Sequence, residues 1–167
     1  MDQASAYAII FVSVSVAGVV AWLLYLQRKS AVEDGQKVEG SKMLQLQAYE
    51  RLTVLADRIS LANVIGRVSI PEFSARDMQR AIVQTINDEF TYNVSQQIYV
   101  TADTWNAIKN LKDQNLLLVN QIAGIFPEGA SGLDFNRAIL EFLSSDKRGS
   151  LHEVVGEVIS IEAKKLL

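Results

Sequence analysis

His152 is the only histidine among the 167 residues, and the chain has no cysteine. A multi-histidine metal site or a His-activated nucleophile on the ordinary template would therefore need a second chain. Thiol nucleophiles and thiolate metal sites are excluded outright. His152 stands early in an expected helix beside Glu153 and reads as a surface residue. Asp88 and Glu89 form an adjacent acidic pair, but neighbouring helical positions diverge by about 100°. Their carboxylates do not converge on one cation, and the pair reads as part of a solvated face. No Gly-x-x-x-x-Gly-Lys-Ser/Thr or Gly-x-Gly-x-x-Gly pattern occurs, which leaves nucleotide hydrolysis without support. Asn93-Val94-Ser95 has the form of a glycosylation sequon, which matters only on a glycosylating secretory route. The expectation is a protein that is not an enzyme and takes no cofactor or metal.

One further stretch carries hydrogen-bonding groups in quantity. Tyr92, Asn93, Gln96, Gln97 and Tyr99 bring phenol and amide groups together without a single charge. Such a composition either binds a partner backbone or ties a crossing loop to its own fold, and both readings stand. The formal charge of -3 and the pI near 5.2 offer no basic surplus for a phosphate backbone, so no nucleic-acid partner is expected.

The elements that would position these residues begin with an apolar run. From Ala4 to Leu26 there is no charged side chain, and Ser5, Ser13 and Ser15 interrupt an otherwise apolar and aromatic sequence. At about 1.5 Å per residue, roughly 20 apolar residues cross a hydrocarbon core of about 30 Å. Tyr7 near one end and Trp22 and Tyr25 near the other suit the headgroup regions. A cleaved signal peptide does not fit, because Asp2 is acidic, no Lys or Arg precedes the run, and the run is too long. Residues 1–29 are thus expected to form a single transmembrane anchor with a basic flank. Arg28 and Lys29 place the C-terminal side in the cytoplasm and the N-terminus outside. Ser13, Ala17 and Ala21, with Gly18 beside them, make a small-residue stripe at which another membrane helix, or a second copy of this one, could approach closely.

Residues 30–40 are polar, contain Gly35 and Gly40, and read as a linker. Residues 41–167 read as a helical soluble domain. Leu44, Leu52, Leu55 and Ile59 recur at helical spacing over 41–59. Pro71 disfavours helix at Ile70, so 61–73 is expected as a connector in which Val64 and Ile65 pack down. Ser74 with Asp77 has the form of a capping box, before Met78, Ala81, Ile82, Ile86 and Phe90. Tyr92 to Val100 breaks the helical rhythm and is expected as a partly extended crossing. Thr101 offers an N-cap for a long helix stopped by Pro127, and Ser131 with Asp134 and Ser150 with Glu153 open two more, ending near Leu143 and Leu166. The fold class expected is all-α: one transmembrane helix followed by a four- or five-helix bundle.

The strings Leu46-Gln47-Ala48-Tyr49-Glu50-Arg51-Leu52, Glu89-Phe90, Asn93-Val94-Ser95-Gln96-Gln97-Ile98-Tyr99-Val100, Trp105 and Glu162-Ala163-Lys164-Lys165-Leu166-Leu167 together resemble an uncharacterised family of short single-pass proteins from Bacteroidota-type bacteria. The resemblance covers nearly the whole chain. It implies an N-terminal span and a helical domain on a Gram-negative inner membrane, and it brings no activity with it. The function expected is a non-enzymatic accessory or scaffold protein. Its helical domain would be presented to other membrane proteins at the cytoplasmic face. The alternatives are a small subunit of a larger inner-membrane complex and, behind it, a ligand-binding or enzymatic domain centred on Tyr92 to Tyr99.

Overall fold

Helix dominates every described part of the chain. The computed structural model describes the backbone of residues 3–127, 129–145 and 151–167, and the side chains of these residues except 3–19, 21 and 30–37. Six α-helices occur among them: α1 Gln3–Arg58, α2 Leu61–Val68, α3 Ala75–Tyr92, α4 Ala102–Ala123, α5 Gly132–Ser145 and α6 Leu151–Lys164. A short 3-10 helix, Val94–Ile98, links α3 to α4. No strand occurs among the described residues, so the all-α class holds.

The chain divides into two compact units, Met1–Met43 and Leu44–Leu167. In the first, the backbone is α-helical from Gln3 onward, and residues 30–40, expected as a linker, are helical too. Glu33, Gln36, Lys37 and Glu39 are good helix formers and no proline interrupts them; Gly35 and Gly40 cost about 1 kcal/mol each without breaking the helix. Among the described residues no helix is long and apolar enough to cross a membrane. Most of the apolar run from Ala4 to Leu26 falls outside the described side chains, as do Ser13, Ala17, Gly18 and Ala21 of the small-residue stripe.

The second unit contains the core. Leu52, Leu55 and Ile59 of α1, Val64 of α2, Met78, Ile82 and Ile86 of α3, Ile108 and Leu111 of α4, Phe135 and Ile139 of α5, and Ile159 of α6 are all buried. Leu44, counted with the α1 stripe from its spacing, is instead half exposed, because it stands at the edge of the unit.

Two local expectations are corrected here. Residues 61–68 form a helix rather than a connector, since Leu61, Val64, Ile65 and Val68 repeat at i, i+3, i+4 and i+7 and turn inward. Pro71 restricts only the residue before it, and Ser69 already leaves helical geometry. The crossing from Tyr92 to Val100 is wound into the 3-10 helix rather than extended, with Gln96 N–H donating to Asn93 C=O and Tyr99 N–H to Gln96 C=O.

The caps at Ser74 and Thr101 form as expected. Ser74 Oγ accepts from Asp77 N–H at 3.2 Å while Ser74 N–H donates back to the Asp77 carboxylate at 3.3 Å. Thr101 Oγ1 accepts from Thr104 N–H at 3.3 Å. At α5, Ser131 Oγ accepts from Leu133 N–H at 3.1 Å. Ser150 lies outside the described residues. The starts of α3 and α5 are tied together by two backbone bonds, Ala75 N–H to Ala130 C=O and Gly132 N–H to Phe73 C=O, each 2.8 Å. Both helices therefore enter the bundle from one junction.

Candidate interaction surface

The uncharged segment after α3 sorts its side chains into two sets. Asn93 is buried at the end of α3, and its Nδ2 donates to Glu89 C=O at 2.9 Å, occupying one of the carbonyls a helix end leaves open. Gln96 is buried as well, its Nε2 donating to Ser95 Oγ at 3.2 Å. Asn93 ties the segment to the end of α3, while the Gln96 bond stays within the segment and that side chain is held by burial. Tyr92 and Ile98 point the other way, 78% and 72% exposed, with Val94, Gln97 and Tyr99 also exposed. No charged residue occurs from Thr91 to Ala102, so the exposed tip is apolar and neutral.

α1 and α3 anchor this tip. Tyr49 is buried in the core, and its phenol oxygen accepts from Thr101 N–H at 3.3 Å. At the other end of the contact Arg58 Nε donates to Glu89 at 2.8 Å, and the Arg58 guanidinium forms an ion pair with the same carboxylate. These two rungs lay α1, from Arg58 back to Tyr49, alongside the chain from Glu89 to Thr101. The Arg58 hydrogen bond holds the Glu89 carboxyl below its ordinary range, with burial opposing and the attraction of Arg58 and Arg67 assisting. Arg67 also donates to Arg58 C=O at 2.6 Å, so the end of α1 is fastened to both α2 and α3. Beneath the tip, Phe90 packs on Trp105 with ring centroids 5.2 Å apart, and Lys112 Nζ sits 4.6 Å over the Phe90 ring.

Between α1 and α3 runs an open groove of about 730 Å³. Val54 and Leu55 line it from α1, Tyr92 and Asn93 close its end, and Glu50, Arg51, Arg58, Asp88 and Glu89 supply its charges. Asp88 and Glu89 diverge as their spacing requires: Glu89 turns to Arg58, while Asp88 is exposed and accepts from Gln84 Nε2 at 2.9 Å. Sequence reasoning missed the groove. The signal was a second stripe of α1, Arg51, Val54 and Arg58, about 100° round the helix from Leu52, Leu55 and Ile59 and so flanking the core face.

Other candidates contribute less. His152, expected at the surface, is half-buried and borders a pocket of about 30 Å³ with Ser60 and Asn115, room for one water. A second groove of about 640 Å³ lies between α2 and α5. On its wall, buried Asn136 donates from Nδ2 to Ser69 Oγ at 3.1 Å, while its Oδ1 is buried without a partner. No cluster of three or more His, Cys, Asp or Glu suited to a metal ion occurs among the described residues.

The model of a family of unknown function, DUF7935, matches residues 4–166. The chain belongs to that family. The DUF7935 match takes in the apolar run, the groove and the exposed tip together. No curated protein and no solved structure matches the chain.

Proposed function

We propose that this DUF7935 protein is a non-enzymatic, membrane-anchored interaction module. The anchor is the uncharged run Ala4–Leu26, whose length and flanking Arg28 and Lys29 suit one crossing with the following domain on the cytoplasmic face of an inner membrane. The domain acts as an accessory or scaffold that docks other proteins through the neutral tip at Tyr92 and Ile98 and the adjoining α1–α3 groove. The observation that carries this reading is the tip. In a chain with 21% charged residues, a charge-free segment exposes Tyr92, Val94, Ile98 and Tyr99 together. Contiguous exposed apolar surface of this kind marks interaction sites on soluble folds.

The test is to extract full-length protein from membranes in mild detergent, weigh the particle and identify its companions, beside an Ile98→Glu variant. Defined companions that are lost with Ile98→Glu support the reading. Recovery in the soluble fraction, or companions unchanged by the variant, would overturn the anchor or the docking surface respectively. A second reading, a small subunit of a larger inner-membrane complex, is favoured by the stripe Ser13, Ala17, Gly18 and Ala21. It requires Ala17→Leu with Ala21→Leu to release the protein from its particle.

A further inference from the structure

The α1–α3 groove carries more charge than its own ion pair consumes. Arg58 and Glu89 neutralise one another. Arg51 on the α1 lip is exposed and has no partner among the described residues. Asp88 on the α3 lip is exposed, with only the neutral Gln84 amide against it. Glu50 is exposed beside Arg51. Between the lips, Val54 is 58% exposed and Tyr92 stands over the end of the groove. An occupant that satisfied this surface would bring an apolar ridge, an acid for Arg51 and a base for Asp88.

The chain itself carries such an occupant. Leu44, Arg51, Val54 and Arg58 share one exposed face of α1, so a second copy would bring the apolar Val54 and Leu44 together with the free Arg51 charge to the same seam. Opposite charges on facing lips are self-complementary under a two-fold axis, where each contact between one residue and another is made twice. We propose that the α1–α3 groove is the homodimer interface of this protein, with Arg51 of each protomer paired to the partner's Asp88 and Val54 packed across the seam. The inference rests on reading the groove as a docking surface and names a second copy of the chain as what docks there.

The experiment uses full-length protein in membranes and then in detergent. Because the chain lacks cysteine, two differently tagged copies bearing Arg51→Cys and Asp88→Cys can be co-expressed and the membranes treated with a mild oxidant. A mixed-tag disulfide and a two-chain mass for the unmodified protein are expected. Arg51→Glu or Asp88→Arg alone should weaken association by on the order of a hundred-fold, since each replaces two attractions by two repulsions. The double variant Arg51→Glu with Asp88→Arg should restore it, which no misfolding explanation predicts. A two-chain mass indifferent to both reversals would overturn the proposal, because the dimer would then form elsewhere. A one-chain particle without mixed disulfide would also overturn it. In that case, companions lost with Ile98→Glu keep the docking reading alive, and their absence sinks both.

Discussion

Gly132 offers a test of the bundle's architecture by sign as well as size. It is buried at the start of α5, where its N–H donates to Phe73 C=O. A Cβ added there would stand 2.7 Å from Phe73 O and 3.3 Å from both Phe73 C and Ser74 O. All three atoms are backbone, so none can swing aside, and the two segments must separate by about 0.6–0.9 Å to reach an ordinary carbon–oxygen contact. That movement strains both bonds of the junction, Gly132 to Phe73 and Ala75 to Ala130. Overpacking alone costs about 1–3 kcal/mol, and weakening the two bonds raises the expected loss for Gly132→Ala to about 2–4 kcal/mol. Gly156, inside α6, is the control. Its added Cβ would meet nothing within 4 Å, so Gly156→Ala should stabilise by about 0.5–1 kcal/mol through helix propensity.

For a unit of this size each kcal/mol moves Tm by roughly 4 °C. Gly132→Ala should therefore lower Tm by about 8–16 °C, and Gly156→Ala raise it by about 2–4 °C. Trp105, packed on Phe90 in the folded unit, reports unfolding once Trp22 is replaced by Phe to remove the second indole. An unchanged or raised Tm for Gly132→Ala would refute the close approach of the α3 and α5 starts.

Other outcomes follow from the same contacts. Glu89 titrates below its ordinary range when folded, so its contribution is fully present above the unfolded carboxyl range and lost as pH falls through the lowered folded value. Stability should drop in acid, and denaturant midpoints compared at neutral pH and below about pH 4 should fall less for Glu89→Gln. The change is partial, because Asp77, lowered chiefly by its hydrogen bonds from Ser74 and then by Arg80, titrates in the same direction. Thr101→Ala should cost about 1 kcal/mol by uncapping α4, read in chemical unfolding. Asn115→Leu removes the buried hydrogen bond from Nδ2 to Ile59 C=O, 2.8 Å, and should cost about 1–3 kcal/mol, with faster amide exchange around Ile59.

The features legible in the sequence are those whose cause is local. Ser74 and Asp77 cap α3 because both partners lie within one turn, and Met78, Ile82 and Ile86 are buried where their spacing puts them. α2 is less legible because Pro71 suggests a break, yet its restriction reaches only Ile70, and Leu61, Val64, Ile65 and Val68 spell an inward face before it. The groove was illegible for a different reason. Arg51 and Val54 become its lip only when Arg58 meets Glu89, 31 residues away, and no periodicity within α1 announces that distance.

In the segment from Tyr92 to Tyr99 the buried and the exposed side chains separate the two readings of one composition into different residues. Loop-tying and partner-binding stood as alternatives because they require the same residue types. Asn93 ties the segment to α3 and Gln96 is buried, while Tyr92, Ile98 and Tyr99 are left to solvent. A segment needed only to close the bundle would gain from polar residues at its exposed positions, since exposed apolar side chains add no folding energy and promote association. Tyr92 and Ile98 keep apolar surface where the fold does not use it, beside a groove with uncompensated charges of both signs. Replacing them with polar residues should therefore leave stability within about 0.5 kcal/mol while removing association, and a large loss of stability instead would return the whole segment to a structural role.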